Sequence, residues 1–337
     1  LIQRAINAIR FLSADGVQKA NSGHPGLPMG AAAMAYTVWM RHLKHNPKNP
    51  RWVGRDRFIL SGGHGSMLLY SLLYLCGYDL PLEELKRFRQ WESLTPGHPE
   101  YGLTPGVEVT TGPLGQGFVN GVGMAIAQAH LAAEFHKPDF ALLDHFIYAI
   151  VTDGDLMERV TAEAASLAGH LKLGRLIYLY DDTRITIDGS TELAFTEDRA
   201  ARFASYGWQV LQVADGNDVE AIDKAIQEAK KDERPSLIIC RTHIGYGLPT
   251  KQDSEKAHGA PPGEEELNQA KKNMGWPIEP TFYVPEEVLV HFRSSIDKGK
   301  QAQKDWEAMF ASYRLKYPEL AAEFERRMKT ELPQGWD

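Results

Sequence analysis

Short apolar runs alternate along this chain with longer stretches in which apolar positions recur every three or four residues. Five runs predict strands: Arg57–Leu60, Phe146–Val151, Leu176–Tyr180, Trp208–Val213 and Leu237–Cys240. Each is short and rich in Ile, Val, Leu or Tyr, as strands buried on both faces are. Val219, Ile222, Ala225, Ile226 and Ala229 mark one face of a helix, with Asn217-Asp218 as its capping pair. Phe118–Phe135 and Glu158–Leu171 follow the same period, the first built of small residues suited to close packing. Strands alternating with helices predict an α/β fold, a doubly wound, mostly parallel sheet with helices on both faces.

Gly and Pro gather at Ser22–Met29, Ser61–Ser66, Pro96–Gly117 and Gly245–Gly263, which predict loops. Four such loops exceed what connection requires, and loops of this length are usually functional. Beyond Glu286 the pattern changes to two charged helical stretches, Glu286–Leu315 and Glu319–Thr330, before Leu332-Pro333. The division expected is one large α/β domain over 1–285 and a helical linker over 286–337. No internal repeat is evident.

Composition narrows the class. The 337 residues include 37 Lys+Arg against 44 Asp+Glu, a net charge of −7, and 43% are hydrophobic. Such a chain buries a core without disulfide or metal staples and is neither disordered nor collagenous. Its acidic balance argues against nucleic acid or an anionic membrane as partner. Leu27–Met40 and Met67–Tyr78, the longest strongly apolar charge-free stretches, are too short to span a bilayer. Cys76 and Cys240 are too few for a cysteine metal site and suggest a reducing, cytoplasmic setting. The chain starts at Leu1 without Met and stops at Gln334-Gly335-Trp336-Asp337, as an excised piece of a longer protein would.

The loops carry the chemistry. Four of twelve His sit in the Gly/Pro loops: His24, His64, His98 and His258. An imidazole so placed is open to ligands and can exchange protons near neutral pH. Their spacing matches no zinc motif, so they are read as ligand contacts. Gly112-Pro113-Leu114-Gly115-Gln116-Gly117 opens the small-residue helix, where free N–H groups would suit phosphate. It is not a dinucleotide fingerprint, since position 120 is Asn and no strand precedes it. After the second strand comes Thr152-Asp153-Gly154-Asp155-Leu156-Met157-Glu158, and after the third Asp181-Asp182-Thr183-Arg184-Ile185. An Asp at a strand's carboxyl end can hold a hard divalent cation against phosphate oxygens.

Together these segments resemble the N-terminal, diphosphate-binding half of the transketolase family. The likeness rests on Ser22-Gly23-His24-Pro25-Gly26, Gly63-His64-Gly65-Ser66-Met67-Leu68, Thr110–Gly117, Asp153-Gly154 and His258-Gly259-Ala260-Pro261. It implies thiamine diphosphate with Mg²⁺ or Ca²⁺ as cofactors. Asp153, the residue at 183 and the Ile185 carbonyl would be the metal ligands. His24, His64, Gly112, Leu114, Gly154 and His258 would line the cofactor, and His98 with His24 and His258 would face the sugar. Glu158 and Glu163 would link two active sites across a homodimer. Sugar phosphates would be the substrates of the full enzyme, in a two-carbon ketol transfer. The glutamate that activates the aminopyrimidine would lie in a pyrimidine-binding domain that this chain does not include.

Three residues depart from the family pattern. Thr152 and Arg159 stand where the family has Gly, and Thr183 stands where it has the metal-ligand Asn. Thr152 and Arg159 are expected to crowd the loop, with strain if Thr152 needs positive φ. Thr183 is a poorer, shorter ligand than Asn, and together Thr152, Arg159 and Thr183 are expected to weaken or abolish metal-dependent cofactor binding. Alone, the chain is expected to be inactive. Two other readings compete. One is the N-terminal subunit of a split transketolase, active with a pyrimidine-domain partner chain; the other is a cofactor-free engineered scaffold or interaction module.

Overall fold

The computed structural model describes residues 1–333, 335 and 336. Gln334 and Asp337, which belong to the abrupt end noted above, lie outside the described residues. The strands are β1 (Arg57–Leu60), β2 (Ile147–Thr152) and β3 (Leu176–Asp182), a hairpin of β4 (Ile185–Thr186) and β5 (Gly189–Ser190), then β6 (Gln209–Val213) and β7 (Ser236–Arg241). The main sheet runs β1–β2–β3–β7–β6 with every pair parallel, and the β4–β5 hairpin is antiparallel. The five predicted strands are these five, shifted by a residue or two at their ends.

Burial follows the two-residue period of a strand. Ile147, Ala149 and Val151 of β2 join Leu176, Tyr178 and Tyr180 of β3 in one core, while Tyr148, Ile150, Ile177 and Leu179 face another. The second core is covered by α1 (Ile2–Ala20), α2 (Gly26–Gly30), α3 (Ala32–Thr37) and α4 (Ser66–Cys76). A short α5 (Leu82–Lys86) follows. The first core is covered by α6 (Gln116–Phe135); after α7 (Asp153–Met157), it is covered by α8 (Arg159–His170) and α9 (Arg199–Ser205). α10 (Val219–Ala229) returns to the α1 side, capped as predicted by the Asp218 carboxylate, which accepts from the N–H groups of Glu220 and Ala221.

α11 (Glu264–Asn273), α12 (Glu286–Lys316) and α13 (Pro318–Met328) complete the chain. Val288 and Phe292 of α12 enter the α1-side core, and Phe310 and Tyr313 meet Phe135 and Phe324 in a smaller third cluster. Among the described residues no helix is long and apolar enough to cross a membrane.

Three readings need correction. The loop predicted at Ser22–Met29 becomes helical from Gly26. The predicted helix Glu158–Leu171 breaks at its start, where Glu158 is extended and caps α8. α1 was not foreseen, because Asn7, Arg10, Ser13 and Asp15 interrupt its apolar pattern. All four are buried and partnered. Arg10 Nε donates to the Met29 carbonyl at 2.9 Å, and Ser13 Oγ donates to the Ile9 carbonyl at 2.8 Å.

Asp15 is the most consequential of the four. Its carboxylate accepts from Lys271 Nζ at 2.6 Å and Phe282 N at 2.8 Å, tying α1 to α11 and the segment beyond it. Lys271→Met should cost about 3–5 kcal/mol by stranding a buried carboxylate. The urea midpoint measures it, and Asp15→Leu/Lys271→Met should recover much of the loss.

Candidate functional site

Parallel pairing places the loops after β1, β2, β3 and β7 at one edge of the sheet, the carboxyl edge where such folds bind ligands. A cavity of about 340 Å³ opens there. His24, His64, His98, His258, Gly112, Leu114, Asp153, Gly154, Thr183 and Ile185 all line it. Segments more than two hundred residues apart in sequence thus meet as predicted. Glu158 and Glu163 do not join them; both are exposed, at and just beyond the start of α8.

Asp155 holds the loops in register. Its side chain is fully buried. Oδ1 accepts from Ser61 Oγ and Gly115 N, both at 2.8 Å, and Oδ2 accepts from Thr152 N at 2.9 Å and Thr152 Oγ1 at 3.0 Å. Gly115 takes φ +82°, a conformation that glycine reaches without strain. Sequence reasoning passed over Asp155, although Thr152-x-x-Asp155 is a capping-box pattern and the box forms at α7.

This arrangement corrects two expectations. The turn before α6 was expected to offer free N–H groups to phosphate. Instead Gly115 N is held by Asp155 and Phe118 N by Ser61 Oγ at 2.9 Å. The turn meets the cavity through Gly112 and Leu114. Thr152 and Arg159 were expected to crowd or strain the loop. Thr152 has φ −117°, ordinary extended backbone, and Arg159 opens α8 with its side chain exposed. A non-glycine residue that is left-handed here is Arg184, at φ +62°.

The predicted metal ligands stand together. Thr183 Oγ1 donates to Asp153 Oδ2 at 2.9 Å and lies 3.2 Å from the Ile185 carbonyl oxygen. Arg184 N also donates to Asp153 Oδ2, at 3.1 Å, and the Tyr180 hydroxyl donates to Oδ1. Burial pushes the Asp153 pKa up, opposed by these donors. Among the described residues no three His, Cys, Asp or Glu side chains gather to hold a metal by themselves. The set is one carboxylate, one hydroxyl and one carbonyl, all hard oxygen donors of the kind Mg²⁺ and Ca²⁺ take, with vertices left for phosphate oxygens. It fits a divalent cation.

Asp181, which sequence reasoning quoted but did not assign, also lines the cavity. Burial pushes its pKa up to about 7, against a hydrogen bond from Thr242 Oγ1 at 2.5 Å. Thr152, Met157 and Ile187 complete much of the wall.

The histidines form the opposite wall. The ring centroids of His24, His64 and His258 lie 5.1, 5.7 and 5.2 Å apart. These three are half-buried rather than open, and His98 is exposed. The buried Nδ1 atoms of His24 and His258 have no partner within the protein. Burial is the main cause that holds all four neutral, bringing His24 down to about 4 and His64 well below its usual value.

Comparison with known proteins agrees with this geometry. Residues 1–333 match the family described as transketolase, thiamine diphosphate binding domain. The chain belongs to that family. It is 57% identical to a transketolase of Nostoc sp., over all of this chain and 51% of that protein. It is also 57% identical to transketolase 2 of Escherichia coli strain K12, over 98% of this chain and 50% of that protein. The transketolase of Leishmania mexicana superposes with a TM-score of 0.98 at 48% identity, covering 100% of this chain and 50% of that one. A Pichia stipitis transketolase, solved with sedoheptulose-7-phosphate, gives 0.97 at 50% identity, covering 99% and 50%. This transketolase-family chain therefore spans about half the length of the relatives it matches.

The neutral histidines make stability depend on pH. Unfolded, each takes up a proton near 6.5; folded, His24 does so only near 4. The unfolded chain therefore binds more protons between those values, and stability falls as pH drops through the window. Urea midpoints should decline there, by up to ~1.4 kcal/mol per pH unit for each histidine fully within it. His64→Gln should flatten the decline.

Proposed function

We propose that these residues supply the diphosphate-holding and sugar-facing half of a two-carbon ketol-transfer site. A pyrimidine-binding half, in the same polypeptide or in a partner chain, would complete it. The observation that carries this reading is the meeting of four loop histidines with Asp153, Thr183 and the Ile185 carbonyl in one cavity. Thiamine diphosphate, when bound, supplies the electron sink for breaking a bond beside a ketose carbonyl.

Asp153, Thr183 and the Ile185 carbonyl would hold Mg²⁺ or Ca²⁺, with Gly154, Leu114 and His64 against the cofactor. His24, His98 and His258 are neutral and can each accept or donate a proton at a sugar hydroxyl. The substrates would be sugar phosphates, in keeping with the sedoheptulose-7-phosphate held by the Pichia stipitis relative. The buried free thiols of Cys76 and Cys240 suit a cytoplasmic setting.

A second copy of the chain is the proposed partner at α8. Val160, Leu167 and Leu171 are 40–45% exposed along it, and Ile187 and Leu193 are more exposed still. Glu158 and Glu163 share this surface, where they can reach across a dimer. Sedimentation velocity should show self-association; a monomer at every concentration would overturn the pairing.

Cofactor affinity is expected to be reduced. Thr183 Oγ1 already bridges Asp153 and the Ile185 carbonyl, so a cation must displace a hydrogen bond to enter. Isothermal titration with thiamine diphosphate and Mg²⁺ should show Thr183→Asn binding at least about tenfold more tightly than the unaltered chain. Equal, metal-dependent affinities would sink this reading. The function itself is tested by adding a separately made pyrimidine-domain chain and assaying ketol transfer. Activity should appear on mixing and be lost with Asp153→Ala; no transfer at saturating cofactor and partner would refute the assignment.

A further inference from the structure

A second cavity lies at the other end of the sheet, between the segment 39–45 and one face of α12. Lys44 places it beside the amino end of β1, since Asp56 N donates to the Lys44 carbonyl at 2.8 Å. Its volume is about 150 Å³. The walls are fixed. A Cβ on Gly299 would collide with the His45 carbonyl, so α12 crosses that backbone in direct contact. One turn on, Asn46 Nδ2 donates to Gln303 Oε1 at 2.7 Å.

The lining is uneven in charge. Lys44 and Lys298 both border the cavity, and no Asp or Glu does. The nearby Asp56 carboxylate accepts from the backbone N–H groups of Lys44 and Phe146, at 2.7 and 2.9 Å, and its charge offsets part of that of Lys44, while Lys298 forms no ion pair among the described residues. The charge of Lys298 reaches inward, adding to the burial that holds the His45 imidazole neutral. Two further donors lack good acceptors. Trp39 is only 3% exposed and its Nε1 has no partner. Ser295 Oγ meets only sulfur, the Met40 thioether at 3.9 Å and the Cys76 thiol, both weak partners. A buried donor without an acceptor is unfavourable, and the two lysines that border the cavity attract an anion.

We propose that this cavity binds a small inorganic oxyanion such as phosphate or sulfate. Lys44 and Lys298 supply the charge, and Trp39 Nε1 and Ser295 Oγ supply directed hydrogen bonds. The volume falls below the ~300 Å³ at which pockets for organic ligands begin, which favours a free anion over a sugar phosphate. The occupied site would fasten α12 to the segment that leads into β1. This proposal does not depend on the function proposed for the carboxyl edge.

The test follows the indole N–H resonance of Trp39 in the full chain, assigned by its disappearance in Trp39→Phe. Titration with phosphate, and separately with sulfate, should shift that resonance to saturation, whereas chloride at equal ionic strength should not. Lys298→Gln, a change at an exposed position, should weaken the apparent affinity about tenfold, equivalent to ~1.4 kcal/mol. A stationary Trp39 resonance, an equal shift with chloride, or unchanged affinity in Lys298→Gln would each overturn the proposal. Glucose 6-phosphate matching phosphate would overturn the limit to inorganic anions.

Discussion

The Asp155 carboxylate is the constraint on which the cavity depends. It is fully buried, yet it meets four donors from three places: Ser61 after β1, Gly115 before α6, and Thr152 at the end of β2. Burial pushes its pKa up, and the donors oppose that shift. A buried charge endures only where such donors converge, so the energy that keeps Asp155 folded also sets the spacing of the loops. Ser61 extends the linkage, because the hydroxyl that donates to Asp155 also accepts from Phe118 N and fixes the first turn of α6. Asp153 and Gly154 begin the same short helix that Asp155 and Thr152 cap. The ligand-facing residues thus inherit their positions from one that faces away.

The cavity's charge explains what it can hold. No Lys or Arg lines it, the histidines are kept neutral, and its ionisable acids are Asp153 and Asp181. A diphosphate entering such a wall meets carboxylates without a compensating cation. A divalent ion resolves the conflict, since it is attractive to both sides at once. A dependence on metal would therefore follow from what the lining lacks as much as from the oxygens it offers.

Much of this was legible in the sequence, for identifiable reasons. Strands buried on both faces leave continuous apolar runs, so β1, β2, β3, β6 and β7 were found to within a residue or two. Histidines and glycines in loops stand out against that background, and with the family resemblance they pointed to residues that line one cavity. α1 was hidden because Arg10 and Asp15 read as surface charges until Met29, Lys271 and Phe282 are brought alongside. The occupied amides at Gly115 and Phe118 were hidden for a related reason. A turn before a helix looks free to bind phosphate unless a carboxylate forty residues away already holds it. Pairings over such separations leave no periodic trace.

Thr183 shows how one substitution can bear on folding and on binding in opposite directions. In the ligand-free chain the Asp153 carboxylate is satisfied by Thr183 Oγ1, Arg184 N and the Tyr180 hydroxyl. The carboxylate is therefore paid for within the protein. A threonine oxygen can face a cation only by turning its proton away from Asp153, so coordination replaces an interaction already made. The hydroxyl is also short and lies 2.9 Å from the carboxylate and 3.2 Å from the Ile185 carbonyl, with one proton to share between them. Preorganisation usually favours a ligand, but here the loop is organised around a proton. The same hydrogen bond that steadies the loop would thus set the threshold a cation must exceed.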